Sequence, residues 1–200
     1  SRMARWASLT LAIGCLFHGG IAHSAQKKGT KSEVRDPEGQ TFRLAPMAVA
    51  PRTVTVPLAK DVHLAFDTEL LRGYTAWQGP GLNLYGTPFR ASKTPFYCTH
   101  SGETLFEGIA DFPWRQGNIV NEVVGEMPEW ARYRGLSDKG ESVRFLFEFE
   151  INGQTVPVVE TTRTEQSGGG VTIIKRIEIG PSSQELSYFP YAILGGEATN

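Results

Sequence analysis

The stretch from Val143 to Gly153 constrains the fold more than any other. Val143, Phe145, Phe147, Phe149 and Ile151 alternate with Arg144, Leu146, Glu148 and Glu150, and Asn152-Gly153 closes the run. Side chains of a strand point to opposite faces in turn, so this pattern builds one apolar face and one mainly polar face. Asn-Gly supplies the two left-handed residues that a type I′ hairpin turn needs. A strand entering a tight turn is expected, with residues 154–160 returning antiparallel. Because one face is apolar, a slip of one residue would turn every buried side chain outward, so the register is well specified.

The same period recurs along the chain. Val54, Val56 and Leu58 alternate with Thr53, Thr55 and Pro57, and Pro57 suggests a strand end or a sheet edge. Residues 62–66 and 70–77 read as two further strands around a turn at Asp67-Thr68-Glu69. Val171, Ile173, Lys175, Ile177 and Ile179 alternate with Thr172, Ile174, Arg176 and Glu178 before a turn at Gly180-Pro181, and a last strand is expected over 185–194. At least six short strands between Gly and Pro turns predict an all-β chain, an antiparallel β-sandwich ahead of a barrel.

Two segments read differently. Residues 78–118 are rich in Gly, Pro and aromatics, and are expected to be long irregular surface loop with some unresolved short strands. Residues 128–133 carry Pro128 near the first position and Gly135 beyond the end, which predicts the one short helix of the mature chain.

The N-terminus has the layout of a secretory signal peptide. Arg2 and Arg5 precede an apolar run over 7–17, followed by a small-residue site at Ala22-His23-Ser24-Ala25. The run is shorter than the roughly twenty apolar residues a transmembrane helix needs. A cleaved signal helix over 1–25, a flexible polar linker over 26–40 and a folded domain over 41–200 are therefore expected, with export to the periplasm or beyond. Leu11-Ala12-Ile13-Gly14-Cys15 loosely resembles a bacterial lipoprotein box, but Ala12 stands where leucine is usual and Leu16-Phe17 follows where polar residues are usual. After cleavage Cys98 alone remains, so no internal disulfide is expected. The chain opens on Ser1 and stops at Asn200 after an apolar stretch, so either end could be a cut through a longer reading frame.

Charge and motifs exclude several functions. Lys and Arg number 20 against 21 Asp and Glu, and the only basic cluster, Lys27, Lys28 and Lys31, lies just beyond the leader. Nucleic-acid binding, which needs clustered cations to displace counterions, is not expected. His63 and His100 lack metal-ligand spacing, and Cys98, two residues from His100, reads as a small buried side chain rather than an activated nucleophile. No Cys-x-x-Cys-His run attaches a haem, and Gly168 to Gly170 lacks the Lys-Ser/Thr of a phosphate loop.

Glu148 and Glu150 share one strand face about 7 Å apart, within the range of glycosidase carboxylate pairs. Alternating Glu on a solvated strand face gives the same pattern without catalysis, and no third acidic residue completes a known sandwich-glycosidase pattern, Asp111 being the acid that the enzymatic alternative would add. No catalytic, cofactor-binding or metal-binding residue is assigned. Trp77, Tyr85, Phe89, Trp114 and Trp130 offer flat faces that could stack on sugar rings, with Trp77, Tyr85 and Trp114 as the speculative ligand contacts. Packing in core and loops is the competing use of the same rings.

Several phrases together resemble one family. They are Phe66-Asp67-Thr68-Glu69-Leu70-Leu71-Arg72, Ala76-Trp77-Gln78-Gly79, Gly86-Thr87-Pro88-Phe89 and Trp130-Ala131-Arg132-Tyr133-Arg134-Gly135-Leu136. Lys139-Gly140-Glu141-Ser142-Val143, Val158-Val159-Glu160 and Arg176-Ile177-Glu178-Ile179-Gly180-Pro181-Ser182 extend the likeness over most of the chain after residue 60. The family is an uncharacterised N-terminal domain of large exported planctomycete and verrucomicrobial proteins that often carry c-type haem or sugar-dehydrogenase-like modules. The resemblance implies export and downstream domains of the same chain as partners, with any haem held in those domains. It implies no catalytic residue. The loop over 90–118 lacks the Gly-His-Gly character associated with the family. The resulting expectation is a non-catalytic binding or positioning module with carbohydrate as a candidate ligand class. A glycan-active enzyme and a structural spacer in a haem oxidoreductase are the alternatives.

Overall fold

The computed structural model describes residues 7–14, 34–35, 52–83, 99–109, 111–117, 125–167 and 170–189. The strands in chain order are β1 (Ala7–Gly14), β2 (Val34–Arg35), β3 (Thr53–Ala59), β4 (Val62–Asp67), β5 (Arg72–Asn83) and β6 (Thr99–Glu107). They continue with β7 (Trp114–Gln116), β8 (Ala131–Asp138), β9 (Val143–Ile151), β10 (Gln154–Ser167), β11 (Gly170–Ile179) and β12 (Leu186–Tyr188). Among the described residues there is no helix, and so none long and apolar enough to cross a membrane.

A first antiparallel sheet has the order β1-β11-β10-β9-β8, and a second has β2-β5-β4-β3 with β6 also paired to β5. Both sheets are open, which fits a sandwich and not a closed barrel. The β9–β10 hairpin forms as its sequence predicts, with Asn152 at φ 52° and Gly153 at φ 74°. Val143, Phe145, Phe147, Phe149 and Ile151 are all buried on its inner face. From the second sheet Val54, Val56, Leu58, Val62, Leu64 and Phe66 complete the same core. Phe66 and Phe145 join the two layers, with ring centroids 3.9 Å apart and planes 9° from parallel. A direct tie adds to this packing, since the Thr164 hydroxyl donates to the Leu58 carbonyl at 3.3 Å.

Three expectations are corrected. Residues 128–133 do not form a helix: one turn closes where Ala131 N–H donates to the Pro128 carbonyl, and β8 begins at Ala131. Backbone pairing of β8 to β9 along its length outweighs the weak Pro-initiated helix signal. Nor is the described part of 78–118 mainly loop, because β5 runs on to Asn83 and pairs with β6. Gly79-Pro80-Gly81 is a bulge inside that strand rather than a turn, shifting the register between Gln78 and Gly81. The bulge brings two backbones so close that a Cβ on Gly79 would lie 2.3 Å from the Ser101 carbonyl oxygen. One on Gly102 would lie 2.1 Å from that of Gln78. Only glycine fits at either place.

The third correction concerns the expected signal helix, whose residues 7–14 form β1 at the edge of the first sheet. They pair antiparallel with β11 from Ala7↔Ile179 to Gly14↔Thr172 without a register shift. The segment carries a period-two pattern of its own, Leu9, Leu11 and Ile13 alternating with Ser8, Thr10 and Ala12, which suits a strand as well as a leader. Of the last expected strand, Leu186–Tyr188 forms and pairs with β7, while 190–194 lie outside the described residues.

Candidate functional site

Trp77 has an imidazole from each neighbouring strand against it. On the outer face of the second sheet, His63 of β4 sits directly opposite Trp77 of β5. The rings stack at 5.3 Å and 15°. His100 of β6 lies 5.4 Å from the same indole at 32°. The indole is fully buried, and its Nε1 donates to the Gly81 carbonyl at 3.0 Å, which closes the bulge described above. The sequence separates the two histidines widely, and only the β4-β5-β6 pairing brings them to one ring. Period-two placement of His63 and Trp77 on outward positions was the available signal.

His100 Nε2 lies 2.9 Å from the Thr104 hydroxyl. Burial pushes the His100 imidazole below its ordinary value, and the carboxylate of Glu107 opposes that shift only in part. The neutral ring is therefore favoured in the folded state. A group with a depressed folded pKa contributes stability above its unfolded pKa, here the ordinary 6.5, and loses it as pH falls toward the folded value. Acidifying the full chain below pH 6.5 is expected to lower its urea midpoint more steeply than that of His100→Gln. Equal slopes for the two proteins would contradict this assignment.

Trp114, the second indole singled out, is fully buried in the main core cluster. Its ring lies 4.6 Å from Tyr188, 5.1 Å from Phe149 and 5.9 Å from Phe147. Trp130 packs edge-on to Phe149 at 5.0 Å. Tyr85, Phe89 and Cys98 lie outside the described residues. Neither Trp77 nor Trp114 presents an open face to solvent.

The carboxylates do not converge. Glu148 and Glu150 face outward from β9, as their alternation predicts. Arg134 of β8 donates to Glu148, and that bond holds the Glu148 carboxyl below the usual carboxylate range. Glu150 accepts from the Thr155 hydroxyl at 3.2 Å. Asp111 is engaged elsewhere: its Oδ2 accepts from Arg115 Nη2 at 2.6 Å, while its Oδ1 accepts from Phe112 N–H at 2.8 Å. A Glu148 held ionised is poorly suited to donate a proton to a leaving group. Among the described residues no three His, Cys, Asp or Glu side chains gather as a metal site would require.

The segment Phe66 to Arg72 is a built turn. Asp67 Oδ1 accepts from the backbone N–H of Glu69 at 2.9 Å and of Leu70 at 3.3 Å, and Oδ2 lies 3.4 Å from Arg72 Nε. Thr68 ties the turn back to Arg52 through its hydroxyl at 2.6 Å.

Among the described residues one ionic pair is wholly interior. Lys175 Nζ of β11 lies 2.7 Å from Glu160 Oε1 of β10, both side chains 0% exposed. The Thr162 hydroxyl donates to the same carboxylate at 3.3 Å. Burial by itself pushes the Lys175 ammonium down, but the Glu160 carboxylate, with Tyr188 adding to it, holds the group above its ordinary value.

Residues 64–157 match the model of a domain of unknown function (DUF6797). That range holds the Asp67 turn, Trp77 with His100 beside it, Trp114 and both outward glutamates, but it begins one residue after His63 and ends before Glu160 and Lys175. No curated protein and no solved structure matches the chain.

Proposed function

We propose that this chain is a non-catalytic positioning module of an exported multidomain protein. The observation that carries the reading is how the reactive and flat side chains are used. Trp77 is sandwiched by imidazoles, Trp114 lies in the core, Glu148 is paired to Arg134, and Asp111 is paired to Arg115. Each serves the fold, and no substrate-sized constellation of acids remains among the described residues. The layout of Arg2, Arg5, the apolar run and Ala25 supports export.

The family resemblance supports a parent with further modules, of c-type haem or sugar-dehydrogenase character, with which this sandwich packs. Haem chemistry belongs to such a module: Cys15 and Cys98 are the only cysteines here and lack attachment spacing. A carbohydrate ligand would be held by surfaces other than the Trp77 and Trp114 rings.

Incubating the full chain with a panel of soluble polysaccharides tests this against the glycosidase alternative. No release of reducing ends is expected, from the native chain or from Glu148→Gln/Glu150→Gln. Hydrolysis by the native chain that the double substitution abolishes would replace this reading with the enzymatic one.

A further inference from the structure

The core-facing row of β11 is Val171, Ile173, Lys175 and Ile177, apolar except for one charge. An interior ion pair such as Lys175–Glu160 contributes little beyond what two apolar side chains of the same volume would. Its position supplies a better reason for it. β11 lies one strand from the end of its sheet, and among the described residues only β1 lies outside it. β1 in turn falls within the expected leader. Removal at Ala25 takes away all 8 residues of β1 and leaves the outer N–H and C=O groups of β11 unpaired. A bare edge of that kind invites pairing with another chain, and an inward-pointing charge is one of the devices that prevents it.

We propose that β11 is the finished edge of the processed domain, and that Lys175 turned inward keeps two processed copies from joining β11 to β11. This rests on the export reading above. A symmetric pairing that keeps both cores on one side must set residues of equal parity opposite each other. The two such registers with the longest overlap place Lys175 directly opposite its copy or diagonal to it. Their Cβ atoms would then lie about 5 Å or 7–8 Å apart, where like charges repel. Each Glu160 is already committed to its own lysine. β1 meets no such obstacle, because the uncharged Leu11 stands opposite Lys175.

The test exports the full chain from a bacterial host and measures its intact mass. Light scattering then gives the molar mass of the native protein and of Glu160→Val/Lys175→Ile. Loss of the leader, a native monomer and a double variant of twice the monomer mass are expected. A processed double variant that stays monomeric overturns the edge assignment while leaving export intact. An unprocessed mass overturns both, because β11 then remains covered by β1. Hydrogen exchange on the native protein provides an arm that does not depend on the variant folding. Alternate β11 amides should exchange quickly in the processed protein and slowly in chain made without export. Equal protection in the two forms also overturns the proposal.

Discussion

Glu160→Gln is expected to lower the stability of the full chain by about 3–5 kcal/mol, the range for removing one partner of a buried ion pair. The substitution keeps the side-chain volume but removes the carboxylate that faces the Lys175 ammonium in a site that is 0% exposed. Native domains are stable by only about 5–15 kcal/mol, so a large part of the margin goes with one carboxylate. Glu160→Val/Lys175→Met, which removes both charges, should recover most of the loss in chain that keeps β1. The pair also sets an alkaline limit. A lysine whose folded pKa is raised contributes stability that is fully present below its unfolded value of 10.5 and is lost as pH rises through the folded value. Urea midpoints for the native chain should fall above pH 10.5, and those of the double variant should fall less. A Glu160→Gln protein as stable as the native one would show that the two side chains do not meet.

Trp114→Ala should cost about 3–5 kcal/mol, the usual penalty for emptying a buried aromatic site. The indole touches Tyr188 of β12 and Phe147 and Phe149 of β9, so it holds the short β7–β12 pair against the first sheet. Its buried Nε1 has no acceptor among the described residues. Trp114→Phe therefore sacrifices no hydrogen bond and should cost about 1–2 kcal/mol, from lost volume alone. Denaturant unfolding of both variants measures the difference. A mild Trp114→Ala combined with loss of a ligand would move this ring from the core to a binding surface.

The two layers were legible wherever alternation was unbroken. Val143–Ile151 with Asn152-Gly153, and the runs at Val54 and Val171, gave strands and a hairpin that the structure reproduces. Reading failed where one residue type has two uses. Gly79-Pro80-Gly81 looks like a turn but is a bulge, because close approach to Ser101 and Gly102 requires glycine there whether or not the chain reverses. Pro128 looks like a helix start, yet pairing with β9 takes over from Ala131. The histidines at positions 63 and 100 meet at Trp77 only through the order β4-β5-β6, which no local pattern encodes. Lys175 is one charged residue in an otherwise apolar row, and its pairing depends on the register that sets Thr162 opposite it and Glu160 on the diagonal.

In the proposed positioning module the buried indoles at positions 77 and 114 serve the fold and not a ligand. Tryptophan emission from the full chain carrying Trp6→Phe and Trp130→Phe, titrated with soluble glycans and with iodide, tests this most directly. Blue-shifted emission that resists iodide and is unchanged by every glycan is the predicted result. A saturable shift with any one glycan would contradict it, placing at least one of the two rings on a carbohydrate surface.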